Sequence, residues 1–377
     1  MKFCELEERE FKDFSRECSA SSFLQSIEMY YRYKNKNNET YLLGVKDGEK
    51  VVAAALVVTK YKVLGRKIFI SPRGFLANFK SKNFPEVLAE FTKGAKTFLK
   101  KKGGAVLEIS PNLTRVAKVD KDGVPLEDYR GTKEEKMFTD LGYKNLGEYE
   151  FVKWEYALNT QEIKAEKLLS YIRSGHRYAT RLALERYQMR MRELEEKELV
   201  ILKKLSNEAA ERHGFITPSL DYYKEMKEAF SDKVKFYVAE VAEKVVKAAE
   251  AGKEPSEIKQ IASEVTEEDK FIPVAAAMFV ISKNEMVYLY SGSSSKYSKY
   301  GGPHFLQYEI IEEAIHKKIP KYNFYGTNPK KNDGVYEFKR GYHGELLEYI
   351  GTFMLPLNLV GKAFLAKKRY QNVRDIH

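Results

Sequence analysis

Residues 272–326 read "IPVAAAMFVISKNEMVYLYSGSSSKYSKYGGPHFLQYEIIEEAIHKKIPKYNFYG". The order is an apolar run, a polar turn, a second apolar and aromatic run, a Gly/Ser loop, an amphipathic stretch and a third short run. Apolar runs of this length bounded by turn residues predict strands, and the 3–4 spacing of Leu306, Ile310, Ile311 and Ala314 predicts a helix. The same order appears earlier: "GEKVVAAALVVTKYKVLGRKIFISPRG" (48–74), then the amphipathic "FPEVLAEFTKGAKTFLKKKGG", then "AVLEI". Both passages share a "VAAA" strand, a second strand, a Gly-containing turn, a helix and a further strand. Two copies of one α/β unit account for 377 residues better than one oversized core does.

Working outward, "YLLGV" and the Asp47–Gly48 turn predict a hairpin, and Val87, Leu88, Phe91, Ala95 and Leu99 form one helical face. "FVKWEYALN" and "KVKFYVAEV" are predicted strands. A long helix is expected from Gln161 through "RELEE", a strand at "ELVILKKL", a helix at "SLDYYKEMKEAF", and a strand end at Lys339. Residues 241–268 are Ala-, Glu- and Lys-rich, without an aromatic and with Gly252 and Pro255 at their centre, which predicts a solvated helical hairpin.

The chain is 43% hydrophobic and 13% aromatic, enough for buried cores, and carries a net charge of +11. That excess suits a polyanionic partner, nucleic acid or an anionic membrane face, and equally a soluble enzyme that is simply basic. Cys4 and Cys18 make neither a disulfide framework nor a metal spacing, which suits a reducing compartment. No N-terminal apolar run predicts a signal peptide, and no window is long enough for a spanning helix.

Several chemistries are excluded by their missing signatures. The Gly/Ser loop has neither G-x-x-x-x-G-K-[ST] nor G-x-G-x-x-G, so it is no nucleotide cradle of those kinds. H-E-x-x-H and G-x-S-x-G are absent, and the six histidines show no metal spacing. A backbone anion site at Gly301–Gly302 and a plain strand–turn–helix connection both stay open. The tyrosines around the loop, including Tyr290, suit either a sugar or peptide groove or half-buried strand packing. Arg173, Arg177 and Arg181 recur every four residues, and between Tyr171 and Arg192 only Glu185 is acidic, which marks a candidate face for nucleic-acid phosphates. Lys339, after Phe338, is a candidate fixed cation or an exposed lysine.

Taken in series, "SFLQSIEMY", "IFISPRGFL", "FTKGAKTFLKKKGG", the 274–317 passage, "KYNFYGTNP" and "VYEFKRGYHGELLEYIGTFMLPLN" resemble the Fem (FemABX) family of non-ribosomal peptidyltransferases. The resemblance implies an α/β (α+β) fold of two tandem GNAT-like acyltransferase domains: residues 1–151 joined by 352–377, and 152–351 with a short helical hairpin insertion at 241–268 where some members carry a long coiled-coil arm. It implies an aminoacyltransferase that moves an amino acid from aminoacyl-tRNA to the stem-peptide amine of a lipid- or UDP-linked peptidoglycan precursor. Such an enzyme needs no metal and no cofactor beyond its donor, and would work in the cytoplasm, touching the inner membrane face peripherally. By the same resemblance Lys339 neutralises charge at the reacting centre, and it should meet a substrate cavity. Phe338, Tyr290, Tyr223 (with Tyr222 its competitor) and Lys34 (or Lys36) bind the precursor, and Arg173, Arg177 and Arg181 are assigned to tRNA. A phosphate-contacting arginine and a strand-end aspartate of one branch are Ser219 and Ser110 here. The rivals are a GNAT-type acyltransferase with a thioester donor and a non-catalytic RNA-binding protein.

Overall fold

The computed structural model describes residues 1–127, 132–214 and 216–374. The chain divides into two units, 1–154 with 346–377, and 155–345.

The first unit runs β1 (Lys2–Glu5), α1 (Glu8–Glu17), α2 (Ile27–Asn35), β2 (Thr40–Asp47), β3 (Lys50–Val63), β4 (Arg66–Ser71), β5 (Leu76–Ala77), α3 (Phe84–Lys101), β6 (Gly104–Ile109), β7 (Thr114–Val116), α4 (Lys133–Asp140) and β8 (Lys144–Asn145). The second runs β9 (Trp154–Asn159), α5 (Leu168–Tyr171), α6 (Ser174–Arg181), β10 (Arg190–Glu193), α7 (Leu199–His213), α8 (Leu220–Phe230), β11 (Val234–Ala242), α9 (Glu243–Glu250), α10 (Pro255–Ser263), β12 (Phe271–Ile281), β13 (Glu285–Ser293), α11 (Gly302–His316), β14 (Lys321–Gly326) and α12 (Gly334–Arg340). The chain then supplies β15 (Glu345–Tyr349), β16 (Phe353–Pro356) and α13 (Leu359–Arg374) to the first unit.

The first sheet is ordered β1-β2-β3-β4-β6-β16-β8, and the second unit's strands β10-β11-β12-β13-β14-β9. In each unit one neighbouring pair is parallel, β4 with β6 and β13 with β14. Parallel neighbours need a crossover, and the intervening helix supplies it: α3 in one unit, α11 in the other. The repeat read in the sequence is thus a repeat of topology. The core faces also match: Val87, Leu88, Phe91, Ala95 and Leu99 are buried, as are Leu306, Ile310, Ile311 and Ala314.

Four local expectations are corrected. "ELVILKKL" belongs to helix α7, not a strand. A short apolar run fits either state, and here Leu199, Leu202 and Leu205 form the buried helical face. The long helix from Gln161 is instead α5, α6 and a π-turn at Leu182–Arg186, followed by strand β10. The hairpin α9–α10 forms, but it is not solvated all round, because Val245, Val246, Ala248, Ile258 and Ala262 are buried. Lys339 lies on α12, not at a strand end.

Motif "IFISPRGFL" has a structural explanation. β4 ends at Ser71 because Pro72 has no N–H to continue the ladder. The carboxamide of Gln25, from "SFLQS", takes that place: Nε2 donates to Pro72 O (2.7 Å), Leu56 O (3.2 Å) and Ser71 Oγ (3.3 Å), and Oε1 accepts from Leu56 N (2.8 Å). Arg73 is buried with its guanidinium 3.3 Å from the Tyr349 ring centroid and donates to Val152 O.

Among the described residues no helix is long and apolar enough to cross a membrane, and no group of His, Cys, Asp or Glu is placed to hold a metal ion.

Candidate active site

Helix α12 starts at Asp333, whose side chain accepts from Tyr336 N (2.8 Å), and turns Tyr336 and Lys339 inward. Lys339 is only 5% exposed. Its Nζ is enclosed at the end of β14, where it donates to Tyr325 O (3.4 Å) and Gly326 O (2.5 Å). Tyr325 turns these carbonyls inward with a left-handed backbone (φ 60°). Burial drives the ammonium from its ordinary value down to about 7, with Glu155 and Asp333 pulling the other way.

Glu155 belongs to a buried polar chain across the second sheet. Asn323 Nδ2 donates to Glu155 (3.0 Å) and Glu285 (3.2 Å), and Lys321 pairs with Glu285 (3.2 Å). The Asn323 amide thus bridges two carboxylates, one of them paired with the Lys321 ammonium, and Glu155 acts on Lys339 through its charge.

Phe338 packs outside this chain against two histidines. Its ring lies 5.0 Å from that of His304 and 5.5 Å from that of His176. His176 Nε2 is 2.7 Å from Phe338 O, and the two imidazoles are 4.5 Å apart, edge to face. Burial, then the neighbouring His176, pushes His304 down to about 3, so that ring is neutral at working pH. Arg173 N donates to Gly341 O (2.8 Å), and a Cβ at Gly341 would sit 2.1 Å from His176 Nε2. The end of α12 is therefore seated against His176. Gly341→Ala is expected to displace the imidazole, cost roughly 1–3 kcal/mol of stability and lower turnover by misplacing Lys339; a thermal melt at the wild-type midpoint with unchanged turnover would refute the seating.

Tyr290 and Tyr223 do come together. The Tyr290 ring is 6.3 Å from Tyr223 and 5.6 Å from Tyr222. Tyr223 is fully buried, its hydroxyl facing Ser206, while Tyr222 and Tyr290 are half-buried. Of the two adjacent tyrosines, Tyr222 is the one whose ring reaches the surface. Lys34 and Lys36 are exposed at the end of α2 in the first unit, where Lys34 Nζ lies 3.4 Å from Tyr30 Oη and 3.7 Å from Glu8.

The basic face is smaller than its sequence suggests. Arg190 and Arg192 are on β10 and pair with Glu240, Glu267 and Glu198. Their compensation comes from β11 and from residues beyond the basic segment, so it is invisible along the segment itself. Arg173 pairs with Glu337 of α12 (3.3 Å), and among the described residues Arg181 reaches only Glu185 (4.0 Å). Arg177 donates to Ser170 O (3.3 Å). Exposed Tyr178 lies between them, and with Arg181, Arg186 and Lys259 it lines a groove against α10.

The glycines of the Gly/Ser loop serve close packing. A Cβ at Gly301 would lie 2.7 Å from Ala179 O and one at Gly302 2.6 Å from Val274, so the glycines let the start of α11 approach α6 and β12. Arg212 holds the loop by donating to Ser295 Oγ (2.6 Å) and Ser293 O (3.0 Å).

What the sequence could not reveal is Glu155, Asn323, Glu285 and His176. Glu155, Glu285 and Asn323 lie within stretches the sequence marked as strands, but their pairing across up to 168 positions leaves no local signal.

Comparison with known proteins agrees with this architecture. The FemAB family model matches residues 6–250 and 243–366, the two stretches overlapping over α9. Among similar proteins is the aminoacyltransferase FemA of Staphylococcus aureus: strains bovine RF122 / ET3-1 and N315 are each 24% identical over 426 residues, covering 99% of both chains. Among solved structures, FemX superposes with a TM-score of 0.78 at 19% identity, covering 95% of this chain and 98% of that one. A tandem GNAT protein from the clavulanic acid biosynthesis pathway gives 0.53 at 9% identity, covering 95% and 98%. These likenesses establish two tandem GNAT-like folds.

Proposed function

From the premise that the chain belongs to the FemAB family, we propose that it is an aminoacyltransferase of interpeptide bridge formation, moving an amino acid from aminoacyl-tRNA to the stem-peptide amine of a peptidoglycan precursor in the cytoplasm. The observation that carries the site assignment is the enclosed ammonium of Lys339, held by two carbonyls on a helix the tertiary fold positions.

The donor ester is already activated, so the protein's task is orientation and charge stabilisation. Holding both substrates in reacting geometry can contribute roughly 7–11 kcal/mol. The amine attacks the ester carbon, the carbonyl oxygen becomes an oxyanion, and the ribose oxygen leaves with the bond electrons. Lys339 stabilises that negative charge, and with a value near 7 it can also hand its proton to the departing oxygen. The attacking amine gives its proton to solvent or substrate. Lys339 is 95% covered, so reaction at its Nζ requires that cover to open.

Phe338, Tyr290 with Tyr222 and Tyr223, and Lys34 are the precursor-binding assignments. For tRNA, Arg177 and Arg181 are the phosphate contacts, and Arg173 acts through its tie to α12. The Arg177→Ala/Arg181→Ala pair should weaken tRNA binding and lower the salt slope by roughly 1.4–1.8, while Arg173→Ala should reduce turnover more than affinity. Unchanged affinity and slope in the pair would reject the face. The whole reading is tested by incubating the protein with a panel of charged tRNAs and lipid- or UDP-linked precursors and weighing the products; no mass gain on any precursor overturns it.

A further inference from the structure

Helix α13, LVGKAFLAKKRYQNVR, contains five basic residues and no acidic one. Its inner face, with Val360, Phe364 and Leu365, packs in a cluster with Ile68, Val106 and Met354 of the first sheet. Its outer face carries Leu359, Ala363, Ala366 and Tyr370 at 4-3-4 spacing, all exposed, with Leu359 79% and Tyr370 60% accessible. This exposed apolar stripe is flanked by Lys362, Lys367 and Arg369.

A second, independent feature lies beside it. The β3–β4 hairpin turns through Leu64 and Gly65, both left-handed (φ 48° and 72°). Such a two-residue turn favours Asn or Asp at its first position, for backbone strain and for solvation alike. Here that position is a leucine 86% exposed. Val63, the preceding residue, packs into the same cluster as Val360 and Phe364, so hairpin tip and helix share one side of the unit. Exposed Lys62 and Arg66 flank the tip. Among the described residues none of Lys62, Arg66, Lys362, Lys367 and Arg369 is in an ion pair, whereas Lys368 is tied to Glu148 and Lys67 to Glu39. Alongside α13 runs a groove of about 860 Å³ lined by Lys144, Lys362 and Arg369 together with Leu146, Leu355 and Leu365. Its one lining acid, Glu135, is bonded to Asn145.

We propose that α13 and the Leu64 hairpin form a docking surface for an anionic lipid bilayer. Leu64, Leu359 and Tyr370 enter the boundary between headgroups and acyl chains. The five bases meet lipid phosphates, and the groove gives a lipid chain a place beside the helix. RNA would use the bases but offers nothing to an exposed leucine at a strained turn, and the joint presence of both residue classes favours the membrane. This surface stands apart from the acyl-transfer reading, because a nucleotide-linked precursor in solution could be modified without it.

Flotation of the full chain with phosphatidylglycerol/phosphatidylcholine vesicles and with pure phosphatidylcholine vesicles tests it. Wild type should float with the anionic vesicles and stay behind with the neutral ones. Lys362→Gln/Lys367→Gln/Arg369→Gln should lower partitioning roughly a hundredfold, and Leu64→Asn/Leu359→Gln about tenfold or more with the salt dependence kept. Both sets lie on the surface, so melting temperatures and transfer to a UDP-linked precursor should match wild type. Equal flotation with both vesicle types, or variants that float like wild type, overturns the proposal. A lysine variant that loses tRNA affinity instead of flotation overturns it too and makes the face an RNA contact. Loss of transfer in wild type would count against the enzymatic reading and leave the bilayer result standing.

Discussion

Lys339→Met should cut kcat about 10²–10³-fold, the range lost when a preorganised charge-stabilising group is removed, and at the same time raise the melting temperature. The second effect follows from burial. Folding takes the ammonium from 10.5 to about 7. Between those values the unfolded chain holds a proton that the folded chain has released, so stability rises with pH across that window. Below about 7 the full cost is present, about 5 kcal/mol at most. Methionine removes this cost and leaves the Tyr325 and Gly326 carbonyls without their donor, about 1 kcal/mol each. A net gain of about 2–3 kcal/mol remains, and the variant should lose the pH dependence between 7 and 10.5. In the wild type, transfer should fall as pH rises through about 7, because the neutral amine can neither balance an oxyanion nor protonate a leaving group. Calorimetry and a single-turnover pH profile on the same two proteins check both halves. Undiminished turnover would remove Lys339 from the chemistry, and an unchanged or lower melting point would refute the account of a desolvated ammonium.

Gln25→Leu should destabilise the first unit by about 3–5 kcal/mol, among the larger effects of a single change. Its carboxamide serves as a strand residue where Pro72 cannot. Leucine fills the space but strands Leu56 N and Pro72 O, both shut off from water, and Ser71 Oγ loses a donor while still donating to Leu56 O (3.0 Å). Gly74 cannot relieve the loop, since a Cβ there would lie 2.1 Å from Ser71 Oγ. Gln25→Glu keeps the shape and the acceptor but donates nothing, so it should fail comparably. Urea midpoints of the two variants measure this, and a loss under about 1 kcal/mol would show that the carboxamide is not what joins Pro72 to β3.

The order of elements, the duplicated unit and the core faces of α3 and α11 were legible in the sequence, because each is a statement about neighbours along the chain. An apolar residue every three or four positions, or a Gly after a helix, acts within a turn or two and needs no distant partner. Phe338–Lys339 was legible as a motif, and the hairpin at 241–268 as a shift in composition. Tertiary structure decided the rest. It made "ELVILKKL" a helix by burying one side of it, and broke the long basic stretch into α6 and β10. It also neutralised Arg190 and Arg192 with carboxylates outside the segment, and brought Gly301 against Ala179. Above all it placed Lys339 on a helix against β14, with Glu155 184 positions away in the chain contributing to its charge state. Charge compensation and desolvation fall off with distance in space, which local periodicity does not encode, so the chemistry of the lysine belongs to the fold even though its position was visible in the sequence.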